Sequence, residues 1–162
     1  MIKKMPRINK IIENDKYQSL VARLDSLEKD RKFCKHDIPH FLDTARIMYI
    51  ISLENNYGIE KEVIYAAALI HDIGRVTEYE NNIPHDKASA DFANEILPKC
   101  GFSEKETKII INTILNHRSD ENDNKLSKLL YFADKKSRLC LFCKVKNDCY
   151  WDSEKKNNEI II

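Results

Sequence analysis

Apolar residues recur every three or four positions along most of this chain, the spacing that gathers them on one face of an α-helix. Tyr17, Leu20, Val21, Leu24 and Leu27, with charged residues between them, predict an amphipathic first helix. A second is expected to start around Asp37 to Pro39, where Asp37 can cap and Pro39 suits the first turn, and to stop before Gly58. Residues 60–72 are apolar on nearly every side through Val63, Ile64, Ala66, Ala67, Ala68, Leu69 and Ile70. This third helix should be the buried centre of the fold, with Gly74 ending it in a left-handed cap.

The polar stretch 75–84, with Asn81, Asn82 and Pro84, reads as a loop. A fourth helix over 86–97 turns Ala90, Ala93, Ile96 and Leu97 inward, and Pro98 with Gly101 closes it. Ser103 and Glu106 have capping-box spacing before Ile109, Ile110, Ile111, Ile114 and Leu115, a fifth helix that ends near His117. After a polar connection at 119–124, Leu126, Leu129, Leu130 and Ala133 mark a sixth helix, which carries Asp134. The last dozen residues, rich in Lys, Glu and Asn, read as a partly ordered tail.

Three Gly and four Pro in 162 residues are too few turn-formers for an all-β fold, which uses them at every hairpin. The expected architecture is all-α: a single compact bundle of about six helices with a short Cys-containing C-terminal extension. An N-terminal helix over residues 1–33 would pack on a helical domain at 34–138, followed by the extension and tail at 139–162. Lys plus Arg number 27 against 26 for Asp plus Glu, a formal net charge of +1. There is then no global field to recruit nucleic acid or an anionic membrane, and any phosphate binding must be local. Pro6, Arg7, Asn9 and Lys10 interrupt any signal-peptide core, and the longest near-apolar stretch, Val63 to Ile70, is too short to span a bilayer. A cytoplasmic protein is expected, with a homodimer left open.

The sharpest chemical feature is His71-Asp72 at the end of the most apolar helix. Burying an imidazole and a carboxylate is costly unless something compensates them, and a divalent cation is a strong compensator. Taken alone, the dipeptide favours a hydrogen-bonded core histidine beside a loop carboxylate. It is joined, however, by His40 in His-Phe-Leu-Asp-Thr-Ala-Arg, His85 in His-Asp-Lys-Ala-Ser-Ala, His117 in Ile-Leu-Asn-His, and Asp134 in Phe-Ala-Asp-Lys-Lys-Ser, each at or near a helix end. The remaining histidine, His36, beside Asp37, reads as a surface or capping residue.

That ordered series, over residues 34 to 138, resembles the HD superfamily of metal-dependent phosphohydrolases in its two-metal branch. The resemblance implies that His40, His71, Asp72 and Asp134 bind a first metal and that His85 and His117 bind a second, with Asp72 bridging. Mixed nitrogen and oxygen donors suit iron, manganese, zinc, cobalt or nickel. The implied chemistry is attack of a metal-activated water on phosphorus, with Asp72 orienting the water. The implied substrate is a small phosphate ester or anhydride such as a nucleotide, dinucleoside polyphosphates among them. Arg75 stands where many relatives carry Lys after the glycine, and its guanidinium could grip phosphate. Arg118, Lys135 and Arg138 are further phosphate-binding candidates. Other readings are a di-iron oxygenase of the same superfamily and a metal-stabilised nucleotide-binding module without catalysis.

Five cysteines is an odd number, and three of them crowd into ten residues. Cys140, Cys143 and Cys149 offer three soft ligands that could close on zinc or an iron–sulfur cluster if a fourth were found. If the helices bearing His40 and Asp134 run antiparallel, Cys34 and Cys140, six residues before one and six after the other, fall on the same side. A non-catalytic site of Cys34, Cys140, Cys143 and Cys149 would then pin the C-terminal segment to the domain, the alternative being buried free thiols. Cys100 reads as structural.

Overall fold

The computed structural model describes residues 4–119 and 123–160. Among these residues eight α-helices run in the order α1 (Pro6–Ile12), α2 (Asp15–Leu27), α3 (Ile38–Glu54), α4 (Lys61–Ile70), α5 (Arg75–Asn81), α6 (His85–Cys100), α7 (Glu104–Leu115) and α8 (Lys125–Lys136). Two short 3-10 turns follow, Cys140–Phe142 and Lys146–Asp148. Among the described residues there is no strand, and no helix is long and apolar enough to cross a membrane.

The centre of the fold is α4, buried along its whole apolar run from Val63 to Ile70. Each Ile, Leu or Val removed from water there contributes about 1.5–3 kcal/mol, so this helix anchors the bundle. It packs chiefly against α3, which in turn packs against α8, while α6 and α7 pack on each other and both touch α4. The helix starts follow local chemistry. Asn14 accepts from the Tyr17 amide, Asp37 from the His40 amide, and Ser103 with Glu106 forms the full capping box.

Arg7 locks α1 onto the bundle. Its guanidinium bonds Glu60 at 2.7 Å, Glu62 at 2.6 Å and Glu106 at 2.8 Å, so one residue ties the starts of α4 and α7 together. The Arg7 guanidinium also lies over the Phe102 ring, 4.3 Å from its centroid.

Four expectations are corrected. The chain before α3 forms two helices, because Asn14 caps a new helix just past Ile12. Residues 75–81 form α5, not a loop: Val76 is buried, and α5 packs on α2. Gly74 is right-handed, with φ of −67°, and starts α5 as its N-cap. Glycine is required there for space, since a Cβ would stand 2.3 Å from the carbonyl oxygen of His85 and 2.5 Å from the Ser89 amide. Finally, the tail is fastened by Asn157, whose buried side-chain amide donates to the carbonyls of Lys135 and Arg138, both at 2.8 Å. Residues 120–122 of the expected polar connection lie outside the described residues.

Candidate metal centre

Helix ends converge on one point. His40 lies in the first turn of α3, His71 is the C-terminal cap of α4 with Asp72 in the turn after it, and His85 opens α6. His117 follows the end of α7, and Asp134 sits in the last turn of α8. All four histidines and Asp72 are buried, and the Asp134 side chain is 22% exposed.

Asp72 is the hub. Its Oδ2 lies 3.2 Å from His71 Nε2, and its Oδ1 lies 3.3 Å from His85 Nε2 and 3.8 Å from His117 Nε2. Asp134 Oδ1 is 3.1 Å from His40 Nε2 and 3.8 Å from His71 Nε2. Two groups result whose ligand atoms all lie within 4.8 Å of one another: His40, His71, Asp72 and Asp134, and Asp72, His85 and His117.

The histidines share one arrangement. Nδ1 of His71 donates to the Ala68 carbonyl at 2.7 Å and Nδ1 of His117 to the Ile114 carbonyl at 2.6 Å. Nδ1 of His40 meets Ser137 Oγ at 2.9 Å; since that hydroxyl donates to the Asp134 carbonyl, it accepts from the imidazole. Nδ1 of His85 meets both carboxylate oxygens of Glu78 at 3.0 Å. With Nδ1 committed, each ring turns its Nε2 toward the centre, the support expected around metal-binding imidazoles.

The residues fit a cation. His71 Nε2, Asp72 Oδ1 and Asp134 Oδ1 are buried and held only by ion-pair contacts whose geometry completes no hydrogen bond, an arrangement that a cation would satisfy. Burial pushes His40 and His117 down to about 4, so both rings are neutral at neutral pH, as coordination requires. Burial opposes charge on His71 as well, but Asp72 and Asp134 outweigh it and hold His71 up at about 10. Asp72 and Asp134 stay well below the usual carboxylate range despite burial: His71 draws Asp72 down, and His40 with His71 draws down Asp134. A proton on His71 thus balances charge that a divalent ion would balance better.

Arg75 Nε forms an ion pair with Asp72 Oδ1 at 3.0 Å. Arg75 and Asp134 line two cavities at the centre. The larger, of about 820 Å³, is bordered by Phe33, His36, Tyr150, Trp151 and several basic residues. The smaller, of about 310 Å³, lies beside His85, His117, Arg118 and Lys135. Arg138 is less available for phosphate: it donates to the Lys35 carbonyl at 2.6 Å and lies 3.0 Å from His40 Nε2. Cys34, Cys140, Cys143 and Cys149 all line the larger cavity, whereas Cys100 is buried elsewhere, beside α1.

His36 is corrected. It is 6% exposed rather than a surface residue, with Nδ1 2.6 Å from Glu28 Oε1 and its amide donating to Glu28 Oε2 at 2.7 Å. Its Nε2 lies 3.7 Å from Asp72 Oδ2, on the side that faces His71. Glu28, itself 3% exposed, also accepts from the Tyr79 hydroxyl at 2.7 Å. Glu28, Glu78 and Ser137 are the supporting residues that sequence reading missed. Glu78 had no local signal, because the helix that carries it was read as a loop.

An uncharacterized protein of Clostridium beijerinckii is 46% identical over 156 residues, 96% of this chain and 99% of its own length. Ribonuclease Y of Mycoplasma mycoides is 26% identical over 122 residues, 75% of this chain but 26% of that protein, so the likeness spans about a quarter of the enzyme. The crystal structure of a predicted HD superfamily hydrolase from an uncultured Thermotogales bacterium shares the fold, with a TM-score of 0.62 at 20% identity over 94% of this chain and 88% of that one. The HD domain family model matches residues 38–139, the stretch that contains all six proposed ligands. The chain therefore belongs to the HD domain family.

Proposed function

We propose that the chain hydrolyses a nucleotide or another small phosphate ester or anhydride, using a water activated at the His/Asp centre. The observation that carries the reading is the division of Asp72, whose Oδ2 faces His71 and whose Oδ1 faces His85 and His117. That division gives a bridging carboxylate between two ligand groups. Ions of the iron, manganese, zinc, cobalt or nickel class held there would polarise phosphoryl oxygens and lower the pKa of coordinated water. His40, His71 and Asp134 with Asp72 would hold one, and His85 and His117 with Asp72 the other.

The chain's own groups do the rest. Arg75 borders both cavities beside Asp72 and can grip a phosphoryl oxygen with its guanidinium. Arg118 and Lys135 supply positive charge to the smaller cavity, where the phosphate end would sit. The larger cavity falls in the size range of small-ligand sites, about 300–1,000 Å³, and Phe33, Tyr150 and Trp151 on its wall offer faces on which a nucleobase can stack.

A phosphodiester substrate is the second reading, favoured by the likeness to Ribonuclease Y, whose name makes RNA its substrate. The test is a panel of nucleoside mono- and triphosphates, dinucleoside polyphosphates, short oligoribonucleotides and simple phosphate esters, each with Mn2+, Fe2+, Co2+, Ni2+ and Zn2+. Release of phosphate or a nucleotide with at least one metal is expected. Tight nucleotide binding without turnover would make the protein a binding module. Oxygen consumption without phosphate release would make it an oxygenase.

A further inference from the structure

Residues 139–160 keep a defined path with almost no apolar core beneath them. Leu139 is 70% exposed, Phe142 81% and Tyr150 77%, and the buried residues of the segment are Cys140 and Asn157. Its only helical structure is the two short 3-10 turns. It lies against residues 31–37, a stretch without helix or strand of its own. Arg138 donates to the Lys35 carbonyl at 2.6 Å, Lys32 pairs with Asp148 at 2.9 Å, and the Phe33 and Tyr150 rings meet edge-on at 5.9 Å. Asn157 pins the far end of the segment to the end of α8, but between Leu139 and Asn157 two exposed pairs and one backbone contact are weak fasteners, since surface ion pairs contribute about 0–1 kcal/mol each. Segments with so little core are ordinarily stapled by a disulfide or a metal, and all five cysteines here are free thiols.

Both stretches bring cysteines to the same cavity: Cys34 from one side, and Cys140, Cys143 and Cys149 from the other. The later three sit at the ends of tight turns. Cys140 opens the first turn and Cys143 closes it, with the Cys143 amide donating to the Cys140 carbonyl at 3.3 Å. The Lys146 amide then donates to the Cys143 carbonyl at 3.2 Å, and Cys149 closes the second turn. Arg31, Lys32, Lys35, Arg138, Lys144 and Lys146 border the same cavity. Such cations favour thiolates and would offset the double negative charge of four thiolates around a divalent ion. Burial raises the Cys34 thiol, and the Arg138 guanidinium works against that rise.

We propose that Cys34, Cys140, Cys143 and Cys149 bind one Zn2+ as a tetrahedral thiolate site, separate from the His/Asp centre. This site holds residues 139–160 against 31–37 and forms a wall of the cavity that leads to Asp72. Binding is a ligand exchange without redox change: four S–H protons pass to solvent as four Zn–S bonds form. Zn–S bonds of about 2.3 Å set tetrahedral sulfurs about 3.8 Å apart. The four sulfurs stand outside the groups whose ligand atoms all lie within 4.8 Å, so they draw inward on binding.

The test uses the full chain, purified under reducing conditions without a polyhistidine tag, then stripped and reloaded with Co2+. Tetrahedral thiolate coordination gives near-ultraviolet sulfur-to-cobalt charge-transfer bands, which nitrogen and oxygen ligands do not. Wild-type protein is expected to show them, as are the Cys100→Ser variant and the His85→Ala, His117→Ala double variant. Cys143→Ser and Cys149→Ser are expected to lose them, together with one zinc per chain, and to become open to protease within residues 139–160. Absence of the charge-transfer band from wild-type protein overturns the proposal even if every serine variant fails to fold. So does unchanged zinc content in folded Cys143→Ser, or recovery of iron with acid-labile sulfide in place of zinc.

Discussion

His36 Nε2 faces Asp72 Oδ2 at 3.7 Å, while the opposite ring nitrogen is held 2.6 Å from Glu28. His36 therefore repeats the arrangement of the four proposed histidine ligands: Nδ1 committed to an acceptor and Nε2 turned to the centre. It stands on the side of Asp72 that faces His71, at the wall of the larger cavity. Its ring meets that of His40 edge-on at 5.9 Å between centroids.

Losing a supporting group of this kind costs about 10–100-fold in activity or metal affinity. His36→Ala is expected to lower turnover in that range on whichever substrate the panel identifies, with helix content by circular dichroism unchanged. Glu28→Ala should approach the same loss, because the His36 ring is then free to turn away. Wild-type turnover in His36→Ala would exclude a role for this ring.

Asp72 touches both ligand groups, so its loss should be felt by both. Asp72→Ala is expected to abolish stoichiometric metal binding at either group and to lower turnover on the order of 10³-fold, as when a principal electrostatic group is removed. The His85→Ala, His117→Ala double variant should instead keep one ion per chain at the His/Asp centre. Calorimetric titration with Mn2+ distinguishes the two, and equal loss of both ions in the double variant would count against two separable groups.

Gly74→Ala should act at a distance from the ligands it disturbs. The added methyl would meet the His85 carbonyl at 2.3 Å and the Ser89 amide at 2.5 Å, both backbone atoms that cannot swing aside. The Gly74 amide also donates to Ser89 Oγ at 2.8 Å, so the start of α6 must shift. A stability loss of about 1–3 kcal/mol is expected from overpacking, with weaker metal binding at the His85 group than at the His40 group. Chemical denaturation and Mn2+ titration on the same sample measure the two effects.

Acid should weaken the Glu28 contact. Burial opposes the charged form of Glu28, but the hydrogen bonds from His36 and Tyr79 prevail and bring the carboxyl from 4.5 down to about 2. A group depressed in this way stabilises the fold above its unfolded value and loses that contribution as pH falls through the folded one. The difference in Tm between wild type and Glu28→Gln is therefore expected to be largest above about 4.5 and to shrink toward about 2. A difference that grows with acid would contradict the assignment.

Arg7 tests stability apart from chemistry. It bonds three carboxylates and stands in α1, away from the six proposed ligands. Arg7→Ala leaves Glu62, 12% exposed, and its neighbours without their cation, which should cost about 2–3 kcal/mol, below the ~3–5 kcal/mol of a fully buried pair. KM and kcat should hold at temperatures well below the lowered Tm.

Helix periodicity and capping are local, because the residues that satisfy them lie within four positions of one another. Hence the apolar run Val63 to Ile70, the Asp37 cap and the Ser103–Glu106 box were all legible in the sequence. So was the ordered series His40, His71-Asp72, His85, His117 and Asp134, since a family resemblance needs only the order of residue types. The helix α5 was not legible: its buried face is the single residue Val76, and its support comes from α6 and from α2, some fifty positions away. His36 was misread for the same reason. It lies in a stretch with no periodic signature, and its burial depends on Glu28, Tyr79 and Asp72 converging from three separate segments. The sharing of Asp72 between two ligand groups is likewise a matter of which helix ends meet. No run of residues encodes the approach of His85 to one carboxylate oxygen and His71 to the other; the packing of α4, α6 and α7 sets it, through a glycine whose missing side chain lets two backbones touch.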